Sequence, residues 1–188
     1  DYDVVFTADS PQLVKSNAFF YVGAYENDIR QPLFGVFSMP FAALAMLIAK
    51  LLFFVPNAYP IVLGTVQVFL LLFGFTLIAR MLELHGAKKA LVLCLLGASY
   101  PALLFSFAME QYIFAVFWVL LLIYSWHEGR AERALPFVAA AGSLLASGAF
   151  FPLLLEKKGR RENIRRLLIA ALAFIAVFVF FGRVPLLN

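Results

Sequence analysis

Residues 59–79 read YPIVLGTVQVFLLLFGFTLIA, twenty-one residues without one charged side chain. Wound into a helix, such a run is about 30 Å long, the thickness of a bilayer's hydrocarbon core. A surface helix of a soluble domain keeps a charged face, and this run has none. Comparable apolar runs follow one another outward from it, at 34–54 on one side and at 90–109, 111–126, 134–155 and 167–182 on the other.

The whole chain has the same character. Of its 188 residues 64% are hydrophobic and 14% charged, with 22 Phe and a mean hydropathy of +0.92. Soluble domains run nearer ~45–50% apolar and ~25% charged. A chain this short has too little interior to hide so much apolar surface from water. A soluble globular domain and a disordered chain are both excluded, and the expected fold is all-α, a polytopic transmembrane helix bundle. Residues 1–33 form a polar, partly helical first loop, and 34–188 form the transmembrane helical core. The chain opens at Asp1 in a polar segment and closes at Asn188 after an apolar run, so a portion of a longer protein is expected.

Charge sets the orientation. The net charge is +4 and the pI about 9.3. The basic residues sit in short clusters between apolar runs, a pattern that suits anionic lipid headgroups rather than nucleic acid. Arg80, Lys88 and Lys89 lie in one such cluster and Arg130 and Arg133 in a second. The third, EKKGRRENIRR at 156–166, holds six basic residues. The positive-inside rule assigns all three to the cytoplasm. Segment 1–33, with Asp1, Asp3, Asp9, Glu26 and Asp28 against Lys15 and Arg30, then lies outside.

Parity adds two expectations. Between cytoplasmic loops the chain crosses an even number of times, so 134–155 goes out and back as two short helices broken around Ser147-Gly148. Likewise 34–54 starts and finishes outside, re-entrant or surface-lying, with Pro40 and Lys50 as its irregular points. The alternative is a plain span there, at the expense of one basic loop.

On this topology the outer side collects Asp9, Lys15, Glu26, Asp28, Arg30, Glu110 and Arg183. Asp9 lies in TADSPQ, where it suits either an Asx-turn or helix cap, or a general base at the membrane surface. Glu110 lies in FAMEQYIFAVFW between two apolar runs. A carboxylate at mid-bilayer costs about 2.5–3.5 kcal/mol, so Glu110 sits at a turn, faces a wet cavity or is paired. Arg30, in YENDIRQPLFG, suits either a bidentate phosphate contact or an ion pair with Asp28 or Glu26. Tyr59, Tyr124 and Trp126 read as interface anchors, and Ser143 and Ser147 as helix-packing residues. The lone Cys94 has no internal disulfide partner, and His85 and His127 are too few for a zinc-type ligand set.

The order of TADSPQ, NDIRQPLFG and SYPALLFSFAMEQY resembles the GT-C fold polyprenyl-phosphate-sugar-dependent integral membrane glycosyltransferases. The resemblance implies a first outer loop whose acid is Asp9, a PLF segment at Gln31-Pro32-Leu33-Phe34, and a second outer acid at Glu110. It implies sugar transfer from a polyprenyl-phosphate-linked donor to a lipid or glycan acceptor at the extracytoplasmic face of a bacterial cytoplasmic membrane. Asp9 would then be the base, with Lys15, Glu26, Asp28, Arg30, Tyr112 and Arg183 toward the donor phosphate and substrate. A divalent cation, Mg or Mn, would have Asp9 and Glu110 as its oxygen ligands. The alternative class is a non-enzymatic membrane transporter, flippase or assembly subunit, which calls for polar residues at mid-membrane.

Overall fold

The computed structural model describes residues 31–107, 112–130, 132–155 and 159–181. Every regular element among them is helical. In chain order they are α1 (Phe34–Leu51), α2 (Ala58–Met81), α3 (Gly86–Gly97), α4 (Tyr100–Phe107), α5 (Tyr112–His127), α6 (Ala134–Ser143), a 3-10 helix (Leu145–Leu154) and α7 (Arg160–Phe181). By length and composition α1, α2 and α7 are each able to cross a membrane. The remaining helices are apolar but shorter.

α2 is the central element. Its buried residues Leu63, Gln67, Leu70, Gly74 and Leu77 recur at three- and four-residue spacing, which is one face of a helix. That face packs most extensively against α5, and α1 and α4 also pack on α2. The pairing with α5 is parallel. Leu70 and Leu71 share a buried cluster with Ile113 and Phe114, and the Phe73 and Phe117 rings lie 5.9 Å apart. Further along, a Cβ on Gly74 would sit 2.8 Å from Leu120 Cδ1. Met81 and His127 therefore end toward the same side.

α5 stops in a Schellman turn. The Arg130 N–H donates to the Ser125 carbonyl (2.9 Å) and the Gly129 N–H to the Trp126 carbonyl (3.0 Å). Gly129 takes the left-handed conformation this requires, with φ at 65°. Run 134–155 then leaves this end and comes back to it: Arg133 Nη1 reaches the Leu153 carbonyl at 3.4 Å. Clusters 127–133 and 159–166 thus share what is called here the basic end, with Met81 on the same side.

Two sequence expectations are adjusted here. The run 134–155 is not one straight helix, but its break falls at Leu144 (φ −151°, ψ 112°), not at Ser147-Gly148. The cause is tertiary. The Leu33 N–H donates to the Gly142 carbonyl at 2.8 Å, taking an acceptor that would otherwise continue α6. Gly148, by contrast, has nothing within 4 Å of where its Cβ would be. Pro40, expected to mark an irregularity, lies inside an unbroken α1.

The course of α1 follows from its contacts. Phe34 meets Phe114 near the start of α5 (5.7 Å between ring centroids), and Leu33 meets Gly142 near the end of α6. Phe114 lies level with Leu70 and Leu71, at mid-length of α2, so α1 starts partway along the packed helices. A turn at 52–57, closed by Asn57 at a φ of 56°, returns the chain to Ala58, the end of α2 opposite Met81. Asn tolerates this left-handed conformation better than most residues. α1 therefore runs antiparallel to α2, their shared groove lined by Phe41, Leu44 and Ile48 on α1, by Leu52 just after it, and from Phe73 back to Ile61 on α2. Only the Leu51 end of α1 lies at this distal end of α2.

Candidate functional site

Of the candidate residues, Asp9, Lys15, Glu26, Asp28, Arg30, Glu110 and Arg183 lie outside the described residues. Tyr112 is described: it opens α5 and is exposed. What the structure does position is the described chain next to the acidic segments. Gln31 follows Arg30 directly, and Tyr112 comes two residues after Glu110. The 5.7 Å contact of Phe34 with Phe114 brings the first turns of α1 and α5 together, level with Leu70 and Leu71 in the middle of α2.

An aromatic cluster holds that junction. Phe41 packs against Phe114 (5.7 Å), Phe117 (5.6 Å) and Trp118 (6.3 Å), and Phe37 meets Trp118 edge-on at 6.2 Å. Edge-to-face and tilted pairs at such distances are the favoured aromatic geometries. Trp118 Nε1 in this cluster and Ser143 Oγ, next in sequence to Gly142, are buried polar atoms without a hydrogen-bond partner. Ser143 is fully buried beside Gly142, the glycine that receives Leu33 and Phe37.

Next to the aromatic cluster, α1 and α2 diverge around a groove of about 810 Å³. Its walls are apolar, with Phe41, Leu44 and Ile48 on α1 facing Val66, Phe69 and Phe73 on α2. Thr65 also lines it, but its hydroxyl donates to the Ile61 carbonyl at 2.8 Å and so presents only a methyl group. No sequence motif announces this groove. Its walls read as two ordinary apolar runs until the turn at 52–57 folds one against the other.

Other expectations meet mixed outcomes. Ser143 and Ser147 are buried as packing residues. Tyr124, expected as an interface anchor, is instead buried, with the Arg130 guanidinium 5.3 Å from its ring centre. Trp126 is exposed, as an anchor would be. Among the described residues no three His, Cys, Asp or Glu side chains gather as a metal site, and the proposed cation ligands Asp9 and Glu110 are not among those residues. Compared with protein-family models, with curated proteins and with solved structures, the chain matches none.

Proposed function

We propose that this chain is a multi-pass integral membrane glycosyltransferase of the GT-C type, moving a sugar from a polyprenyl-phosphate donor to a lipid or glycan acceptor at the extracytoplasmic face. The reading rests on the order of the sequence motifs. The structural observation that supports it best is the contact of Phe34 with Phe114, since the segments bearing Asp9 and Glu110 join the helices at α1 and α5. The contact lies level with the middle of α2, well short of the basic loops that the positive-inside rule assigns to the cytoplasm. The apolar groove between α1 and α2 opens beside this junction and suits a polyprenyl chain.

In this reading Asp9 removes the proton from an acceptor hydroxyl, and the oxygen attacks the anomeric carbon as polyprenyl phosphate leaves. Arg30 and Arg183 stabilise the charge that develops on the phosphate. A divalent cation, where one is used, would neutralise the same phosphate. Asp9→Asn keeps the shape but removes the base. It is expected to abolish transfer from a polyprenyl-phosphate sugar while expression and donor binding persist. Glu110→Gln should reduce transfer less, and Arg30→Lys more than charge conservation suggests. Unchanged turnover of the Asp9→Asn protein would refute the mechanism.

The transporter reading keeps one specific observation on its side. Gln67 is a fully buried polar residue near the middle of α2, the depth at which transporter substrate sites lie. Gln67→Leu separates the two: it leaves sugar transfer intact in the enzyme and impairs uptake in a transporter.

A further inference from the structure

At the basic end a second cavity, of about 240 Å³, opens between the start of α6 and the first turns of α7. Its walls carry Arg133, Arg165 and Arg166 against Glu132 and Glu162, so the lining is positive on balance. Arg133 is buried, an uncommon position for an arginine. Glu162 Oε1 accepts from Arg165 Nη2 at 2.8 Å and from Arg166 Nε at 3.3 Å, which ties both guanidinium groups to one wall. The rest of the lining is apolar, formed by Ala134, Leu154 and, one turn beyond the arginines on α7, Ile169.

Ile169 gives the cavity a direction. It is half exposed and continues along α7 into exposed Leu172, Ile175 and Val179, spaced three and four residues apart on one helix face. The arrangement therefore has a cationic pocket at one end and an uncovered apolar stripe leading away from it. A free anion would use the first and not the second. A neutral acyl chain would use the second and not the first.

We propose that this pocket is a binding site for an anionic phospholipid, its phosphate held by Arg133, Arg165 and Arg166 and an acyl chain lying along the Ile169–Leu172–Ile175 face of α7. Arginine suits the role because its planar fork meets phosphate oxygens two at a time. Basic pockets between membrane helices on the cytoplasmic side recognise lipid headgroups by this chemistry. The site is separate from the junction of α1 and α5, so it stands whether or not the chain is a glycosyltransferase.

The test compares charge-matched variants of the full chain in phosphatidylcholine bilayers titrated with phosphatidylglycerol, with lipid retention read by native mass spectrometry. The double variant Arg165→Gln/Arg166→Gln should bind phosphatidylglycerol about tenfold more weakly, the loss expected for charge-assisted hydrogen bonds. Arg160→Gln/Arg161→Gln removes the same charge from exposed residues of the preceding turn of α7 that do not line the cavity. It should leave binding within about twofold, because headgroup attraction at the surface is diffuse. Equal losses in the two pairs, or no loss in either, would overturn the proposal. Inorganic phosphate alone should compete poorly; if it displaces the lipid fully, the pocket is a free-anion site and the lipid assignment falls. Should the double variant not fold, Arg165→Gln alone serves, since that side chain is mostly exposed and its loss should still weaken retention severalfold.

Discussion

Replacing Gly142 by Ala tests the contact that fixes the break in 134–155. A Cβ built there would fall 2.8 Å from Phe37 Cε2 and 2.9 Å from Leu33 Cβ. Phe37 is able to rotate aside, but Leu33 Cβ is attached to the backbone and moves only if α1 moves. Overpacking of this kind costs about 1–3 kcal/mol. If Leu33 backs away, the 2.8 Å hydrogen bond from its N–H to the Gly142 carbonyl is lost in a buried place, a further penalty of about 1–3 kcal/mol. The better helix propensity of Ala returns about 1 kcal/mol at most. The net expectation is a destabilisation of about 1–5 kcal/mol, read as the shift of the unfolding transition in detergent. Internal comparisons sharpen the test. At Gly74 the added Cβ meets only Leu120 Cδ1, the far end of a flexible side chain, so Gly74→Ala should cost less. At Gly64 and Gly148 nothing lies within 4 Å, so Ala there should be neutral or mildly stabilising. A Gly142→Ala protein as stable as the Gly148→Ala protein would refute the reasoning.

Two more outcomes are expected. In a Cys94→Ser background, single cysteines at Arg130 and Arg160 should react with impermeant reagents from one membrane side, and cysteines at Asp9 and Tyr112 from the other; Asp9 and Arg160 reacting together would break the proposed orientation. Leu44→Trp, which fills the groove between α1 and α2, should lower sugar transfer from long-chain donors more than from short-chain analogues, whereas an equal effect on both would remove the groove from the reaction.

The sequence alone determines that the chain belongs to a membrane. The uncharged run 59–79 and the Phe content are incompatible with a soluble fold because water penalises apolar area wherever it lies, independent of how the helices pack. The clustering of Lys and Arg was legible for the same reason, since residue type and spacing carry it. The parity of crossings between the basic clusters announced that 134–155 would not be one straight helix. It did not fix where the run broke, because Leu33, far away in sequence, supplies the N–H that takes the Gly142 carbonyl. Tyr124 has the same explanation. Its ring looks like an anchor at a helix end until the Schellman turn brings Arg130 back over it.

Only the tertiary structure showed that α1 starts beside α5, that α1 and α2 enclose an apolar groove, and that Arg133 joins Arg165 and Arg166 around one cavity. Each depends on residues brought together by chain reversal, and a periodic pattern records which face of a helix is apolar without recording which helix covers it.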